Sequence, residues 1–286
     1  MKKMNLHILG LILCLCSCTN RETTVDKDTL LGIDYRLFQE TPAWELAKAV
    51  DDGDTQKIKE EIGKNKNLIN FREERLGQTL LMLAVENLNY TSVETLLQLG
   101  ADPNLQDFTY GESPVMRAAN IETAGSQPDS RFLKILLKYG GDPNAEEHGK
   151  RKTRNTPLMI ACLRGHIEYI KILIDAGAKA DFVNEYGDTP LDQATTRISL
   201  NGDPEIVLYL ISKGVDYHRV LYTTIEGEKK YLTDAMREWR FDLGSEKYKK
   251  KMQLVDFLKK NGMDYRKTKI PEEFLSDYPK DYLEKY

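Results

Sequence analysis

The chain has 286 residues, 41% of them hydrophobic, with 41 Lys and Arg against 45 Asp and Glu for a net charge of −4. That acidic balance argues against nucleic acid as the main partner. The length suits one large domain or an extended repeat array.

Lys2 and Lys3 open the chain, and an apolar run over 6–16 follows, broken only by His7. This run is too short to cross roughly 30 Å of hydrocarbon, which takes about 20 residues. A charged start, a short apolar stretch and a small residue before a cut describe a secretory leader. Leu15-Cys16-Ser17-Cys18 resembles the lipobox of bacterial lipoproteins. The resemblance implies a signal peptide over 1–17, acylation of Cys18, and a protein held on the bacterial cell envelope. An ordinary signal peptide and a short membrane anchor are the competing readings. Thr19, where Asp retains some lipoproteins at the inner membrane, leans toward the outer membrane in a cell that has one. Two or more acyl chains anchor stably where one does not. A metal reading of Cys14, Cys16 and Cys18 lacks His or Cys partners downstream at ligand spacing.

A leader ending at Ser17 takes two lysines and no acid with it, so the mature net charge falls from −4 to −6. Cys162 is then the one unmodified cysteine, in the apolar run Leu158-Met-Ile-Ala-Cys162-Leu, where it reads as a small buried residue. Residues 18–40 are polar and lack periodicity, which predicts a flexible tether.

From there the chain repeats itself. Thr156-Pro-Leu-Met-Ile-Ala161, followed by Ile170, Leu173, Ile174 and Gly177-Ala178, is the clearest unit. Thr79-Leu-Leu-Met-Leu-Ala84 with Gly100-Ala-Asp-Pro-Asn104 echoes it, as does Ser113-Pro-Val-Met-Arg-Ala118 with Gly140-Gly-Asp-Pro-Asn144. Thr189-Pro-Leu-Asp-Gln-Ala194 with Gly214-Val-Asp216 is the fourth, and unit starts at Thr79, Ser113, Thr156 and Thr189 lie 34, 43 and 33 residues apart. Thr or Ser can cap a helix, and Pro suits the first helical position, where its missing N–H costs nothing. Glycine after each apolar run predicts a left-handed helix stop.

These units resemble ankyrin repeats. The resemblance implies an all-α solenoid of stacked helix–turn–helix units with hairpin loops. It covers 41–266 as six repeats near 44–74, 75–108, 109–150, 151–184, 185–217 and 229–266. The first and last are degenerate, as caps facing water must be, and 267–286 reads as a C-terminal tail or cap. The family's His after Thr-Pro-Leu is replaced by Met82, Met116, Met159 and Asp192, which puts the loop geometry in question. Extra residues separate the helices near 120–130, 196–204 and 237–251, and Asp203-Pro204-Glu205 reads as the start of a helix after one such insertion. Trp239 and Phe241 in the last insertion either tuck under the cap or form an exposed patch.

Catalysis finds little support. His148, His166 and His218 fall in different repeats, and no phosphate loop, H-E-x-x-H or G-x-S-x-G motif occurs. Asp51, Asp52 and Asp54 lack the other ligands of a calcium loop and read as a helix–helix turn. No catalytic residue, cofactor or metal is expected. The family meets partners through loop tips and the inner face of the first helices. By position, the resemblance implies contacts at Arg75, Leu76, Gln78, Glu86, Asn87, Thr109, Tyr110, Glu112, Lys152 and Asn155. It adds Leu163, Arg164, Glu185, Tyr186, Asp188 and Arg197. Tyr and Arg are frequent at interface hot spots. The expectation is a monomeric, membrane-anchored scaffold that binds a protein partner through its concave groove. An immunity or inhibitor role against an envelope toxin or enzyme is the alternative. A ligand or enzymatic site built by the insertions, from Ser126, Arg197 and Arg240, is the rival from another class.

Overall fold

The computed structural model describes residues 23–121, 129–150, 152–196 and 202–285. The expected leader, Cys18, Ser126 and Arg197 lie outside them. Among the described residues five packed helix pairs follow one another: α1 (Trp44–Asp52) with α2 (Thr55–Lys64), α3 (Leu80–Glu86) with α4 (Tyr90–Gln98), and α5 (Pro114–Asn120) with α6 (Arg131–Lys138). The others are α7 (Pro157–Arg164) with α8 (Ile167–Asp175) and α9 (Pro190–Thr196) with α10 (Pro204–Ser212); α11 (Leu232–Glu238) and α12 (Glu246–Lys260) follow, packed on α9 and α10 respectively. The first helices α1, α3, α5, α7, α9 and α11 pack in a row, and α2, α4, α6 and α8 pack behind them.

The recurrent motif residues earn this layout locally. Thr79, Ser113 and Thr156 accept from the backbone N–H of Met82, Met116 and Met159 at 3.2, 3.4 and 3.4 Å. At three of the four starts the residue that replaces the family's His closes the cap from the other side. Met82 and Met116 Sδ accept from the Thr79 and Ser113 N–H at 3.5 Å, and Asp192 Oδ2 accepts from Thr189 N at 2.6 Å. So the substitutions keep the loop entry intact by a different acceptor. Asp203 caps α10 as its sequence suggests, accepting from Glu205 and Ile206 N–H.

Consecutive repeats are also stitched at their ends. Asn104 Nδ2 donates to Gly140 O at 2.9 Å while its Oδ1 accepts from Asp142 N at 2.8 Å. Asn144 does the same one repeat on, to Gly177 O and from Lys179 N. Gly177 has φ 93°, the left-handed stop that an L side chain resists. Behind these loops a single core runs through the array, from Leu46 and Ile58 through Leu96, Leu133, Ile170 and Leu210 to Leu254. Each such side chain contributes about 1.5–3 kcal/mol by leaving water, but only because its neighbour supplies the other wall. Cys162 is fully buried within that core, and burial pushes its thiol well above the usual range.

Both ends differ from simple expectation. The described part of the segment read as a tether, 23–40, is folded onto the first repeat. Leu37 and Phe38 are buried, the Tyr35 ring stacks on Trp44 at 5.6 Å, and Gln39 accepts from Val25 N and donates to Thr23 O. Short 3-10 turns at Lys27–Thr29 and Tyr35–Phe38 carry it, and these lack the 3.6-residue period that marks a helix. At the other end, Trp239 tucks inward with no exposed surface and donates Nε1 to Thr195 O at 3.1 Å. Phe241 is buried beside it. A short antiparallel pair, β1 (Tyr222–Thr223) with β2 (Lys229–Lys230), precedes α11. Helices α13 (Glu272–Asp277) and α14 (Lys280–Lys285) close the array: Tyr282 donates to Phe241 O and Tyr248 to Lys285 O.

Candidate binding groove

Finger-like loops lead into α3, α5, α7 and α9, and in three of them one polar side chain organises the loop from within. Glu73 accepts from the N–H groups of Arg75, Leu76 and Gln78. Asp107 accepts from Thr109, Tyr110 and Glu112 N–H at 2.6, 2.7 and 3.1 Å, and Asn184 from Tyr186 and Asp188 N–H at 2.9 Å each. Neighbouring fingers bond backbone to backbone: Phe108 N to Leu76 O, Lys150 N to Thr109 O and Glu185 N to Thr153 O. A Cβ on Gly149 would come within 2.1 Å of the Tyr110 carbonyl carbon, so only glycine permits that closeness.

Between the second, third and fourth fingers the concave face opens into a cavity of about 580 Å³. It gathers eight of the expected contact residues: Arg75, Leu76, Gln78, Glu86, Thr109, Tyr110, Glu112 and Asn155. Asn87, Lys152, Leu163, Arg164, Glu185, Tyr186 and Asp188 do not line it. Among these, Tyr186 is 68% exposed at its finger tip, and Glu185 pairs with Arg154 at 3.1 Å. Arg164 donates Nε to Asn120 Oδ1 at 2.6 Å. Lys152 is exposed with φ 52°. Arg197 lies outside the described residues.

Two features of the groove escape sequence reasoning. The first is that the N-terminal segment forms one wall. Arg75 Nη2 donates to Leu30 O at 2.7 Å, Gln78 Nε2 to Gly32 O at 2.8 Å and Asn87 Nδ2 to Ile33 O at 3.0 Å. Gln78, expected to face a partner, is instead buried under this strap, because its amide also donates to Glu86 Oε2 at 2.7 Å. The second is Arg117, 7% exposed, whose Nη1 meets Glu86 at 2.5 Å and Nη2 meets Asp107 at 3.0 Å. A signal for it exists: Arg117 occupies the helix register that holds Leu83 and Ile160 in the neighbouring repeats, both buried.

Electrostatics follow from that burial. Glu112, between Asp107, Glu147 and Glu86, is pushed up to about 7, chiefly by burial and against the pull of Arg117. Asp107 lies below the ordinary carboxylate value: burial, its largest influence, raises it, but backbone donors and Arg117 together outweigh that. Among the described residues no three His, Cys, Asp or Glu side chains are placed to hold a metal ion, and no helix is long and apolar enough to cross a membrane.

Family models agree with the geometry. One for ankyrin repeats in three copies matches 115–220, and one for a single ankyrin repeat matches 76–108. Protein PhlB of Serratia liquefaciens is 34% identical over 169 residues, covering 59% of this chain and 68% of that protein.

The chain belongs to the ankyrin repeat family.

Other similar proteins match this chain over a small part of much longer chains. Human transient receptor potential cation channel subfamily A member 1 is 32% identical over 143 residues, 49% of this chain and 11% of the channel. The mitochondrial disaggregase of Bos taurus is 36% identical over 121 residues, 42% of this chain and 16% of that protein. An ankyrin array indicates a protein–protein interaction scaffold.

Proposed function

We propose that the chain is a monomeric, non-catalytic scaffold of the bacterial cell envelope, anchored by lipid on Cys18, that binds a partner protein in its concave groove. The cavity bounded by the fingers and the strap carries this reading. Exposed Tyr110 and Tyr186 at the finger tips supply hot-spot chemistry at its mouth and beyond. The anchor rests on Leu15-Cys16-Ser17-Cys18. About a dozen residues separate Cys18 from Leu30, a reach of at most ~40 Å, so an acylated Cys18 keeps the groove near the lipid surface. The partner is then a membrane-proximal protein.

Two measurements test the parts separately. Cys18→Ala should leave the membrane fraction and lose the mass of the acyl chains; retention with an unchanged mass increment refutes the anchor. Replacing Tyr110, Tyr186 and Arg164 together by Ala should abolish cross-linked partner capture from the membrane fraction; undiminished capture refutes the groove.

A further inference from the structure

The groove cavity has a charge imbalance that names the chemistry of what enters it. Of the charged side chains lining it, four are carboxylates (Glu86, Asp107, Glu112, Glu147) and two are arginines. Those arginines are committed: Arg117 bridges Glu86 and Asp107, and Arg75 holds the Leu30 carbonyl. The Glu112 carboxylate accepts no hydrogen bond among the described residues, and that of Glu147 accepts one, from the Thr153 hydroxyl. Two carboxylates from adjacent fingers thus face one half-buried space with no cation bonded to either among the described residues. Burying such groups is costly unless a counter-charge arrives.

We propose that this cavity is the seat for a cationic side chain, arginine or lysine, presented by the partner protein between apolar residues. The inference rests on the groove reading above and adds the partner's chemistry. The rim suits the flanking residues, because Leu31, Ile33 and Tyr110 stand 71%, 49% and 48% exposed around the opening. A metal ion is a poorer occupant, since no three His, Cys, Asp or Glu side chains among the described residues are placed to hold one. Arg117 already shows how the site grips a guanidinium, with one carboxylate on each nitrogen arm. The volume of about 580 Å³ holds more than one side chain, enough for a short segment of the partner.

The test uses defined probes on the whole chain: acetyl-leucyl-arginyl-leucine amide, its citrulline isostere and its glutamate counterpart, followed by amide NMR shifts and titration. The arginine peptide should shift Tyr110, Glu112, Glu147 and Asn155 and bind at least ~10-fold tighter than the citrulline peptide. The glutamate peptide should not bind. Glu112→Gln with Glu147→Gln should erase that preference without lowering the melting temperature. Binding should tighten from pH 6 to pH 8 as Glu112, which faces Arg117, Asp107, Glu147 and Glu86, loses its proton near 7. Equal binding of the arginine and citrulline peptides, shifts elsewhere, or no binding at millimolar concentration overturns the proposal. Partner capture separates the two failures: if the double Gln variant still captures its partner while the Tyr110, Tyr186 and Arg164 variant does not, the groove stands and the cation seat falls.

Discussion

Arg117 on α5 reaches back to the end of α3, setting Nη1 2.5 Å from Glu86 Oε1, while Nη2 stays 3.0 Å from Asp107 Oδ2 at the base of its own finger. One guanidinium therefore joins two repeats and a loop at the floor of the groove. Removing one partner of a buried pair costs about 3–5 kcal/mol, since the other charge stays behind unpaired. Arg117→Leu should lower stability by about 3 kcal/mol in urea unfolding, although leucine is what the neighbouring repeat places there. A neutral outcome would mean that the pair adds nothing to the groove floor.

Glu112 gives the groove a pH dependence of definite sign. Its folded-state value near 7 lies above the ordinary 4.5, so the folded chain holds the proton more tightly between those limits. The stability it contributes is complete below about pH 4.5 and is lost as pH rises through 7. Glu112→Gln should therefore gain about 1–2 kcal/mol at pH 8 and almost nothing at pH 4.5, with solvent access discounting the shift. Paired urea curves at the two pH values check this.

Lys251 is the opposite case. It is buried in the C-terminal cap, donates to Trp239 O at 3.3 Å, and burial with Arg237 and Arg266 nearby brings it down to about 6. The unfolded chain then binds more protons between about 6 and 10.5, so stability rises with pH across that window. Lys251→Met should stabilise the cap by about 1–3 kcal/mol at pH 7, and the gain should shrink as pH approaches 10. A constant difference across that range would place the ammonium in water.

Phe38 separates a folded N-terminal segment from a tether. Phe→Ala in a core costs about 3–5 kcal/mol, and Phe38 is fully buried. Phe38→Ala should show a loss of that size in thermal or urea unfolding. Unchanged stability would restore the tether reading for 23–40.

Gly149 tests the closeness of the fingers. Its missing Cβ lets the loop that leads into α7 lie against the Tyr110 backbone, where a methyl group would sit 2.1 Å from a carbonyl carbon. Gly149→Ala should cost about 2 kcal/mol or more and move Tyr110 at the mouth of the cavity. Both a melting curve and partner capture should register it.

The helix caps, the glycine stops and the core periodicity were legible because each is a local rule. Thr156-Pro157 and Gly177 do within one repeat what their residue types favour anywhere. Position within the repeat likewise pointed to eight of the residues that meet in the cavity. Arg117 was missed because one charged residue in an apolar register has no fixed meaning until Glu86 and Asp107 are seen beside it. Ser113 and Met116 kept their cap despite the lost His because sulfur could stand in as acceptor, which a motif comparison does not weigh.

By itself the sequence determined the repeat: where helices begin and stop, which faces are apolar, and hence that neighbours must stack to bury them. Only the tertiary structure decided what the groove contains. The strap from Leu30 to Ile33 docks through backbone carbonyls, which every residue carries and no sequence pattern marks. The charge of Glu112 likewise depends on four groups from different parts of the chain meeting at one buried place. Local preference is written residue by residue, but the field at a site is a sum over neighbours that folding alone brings together.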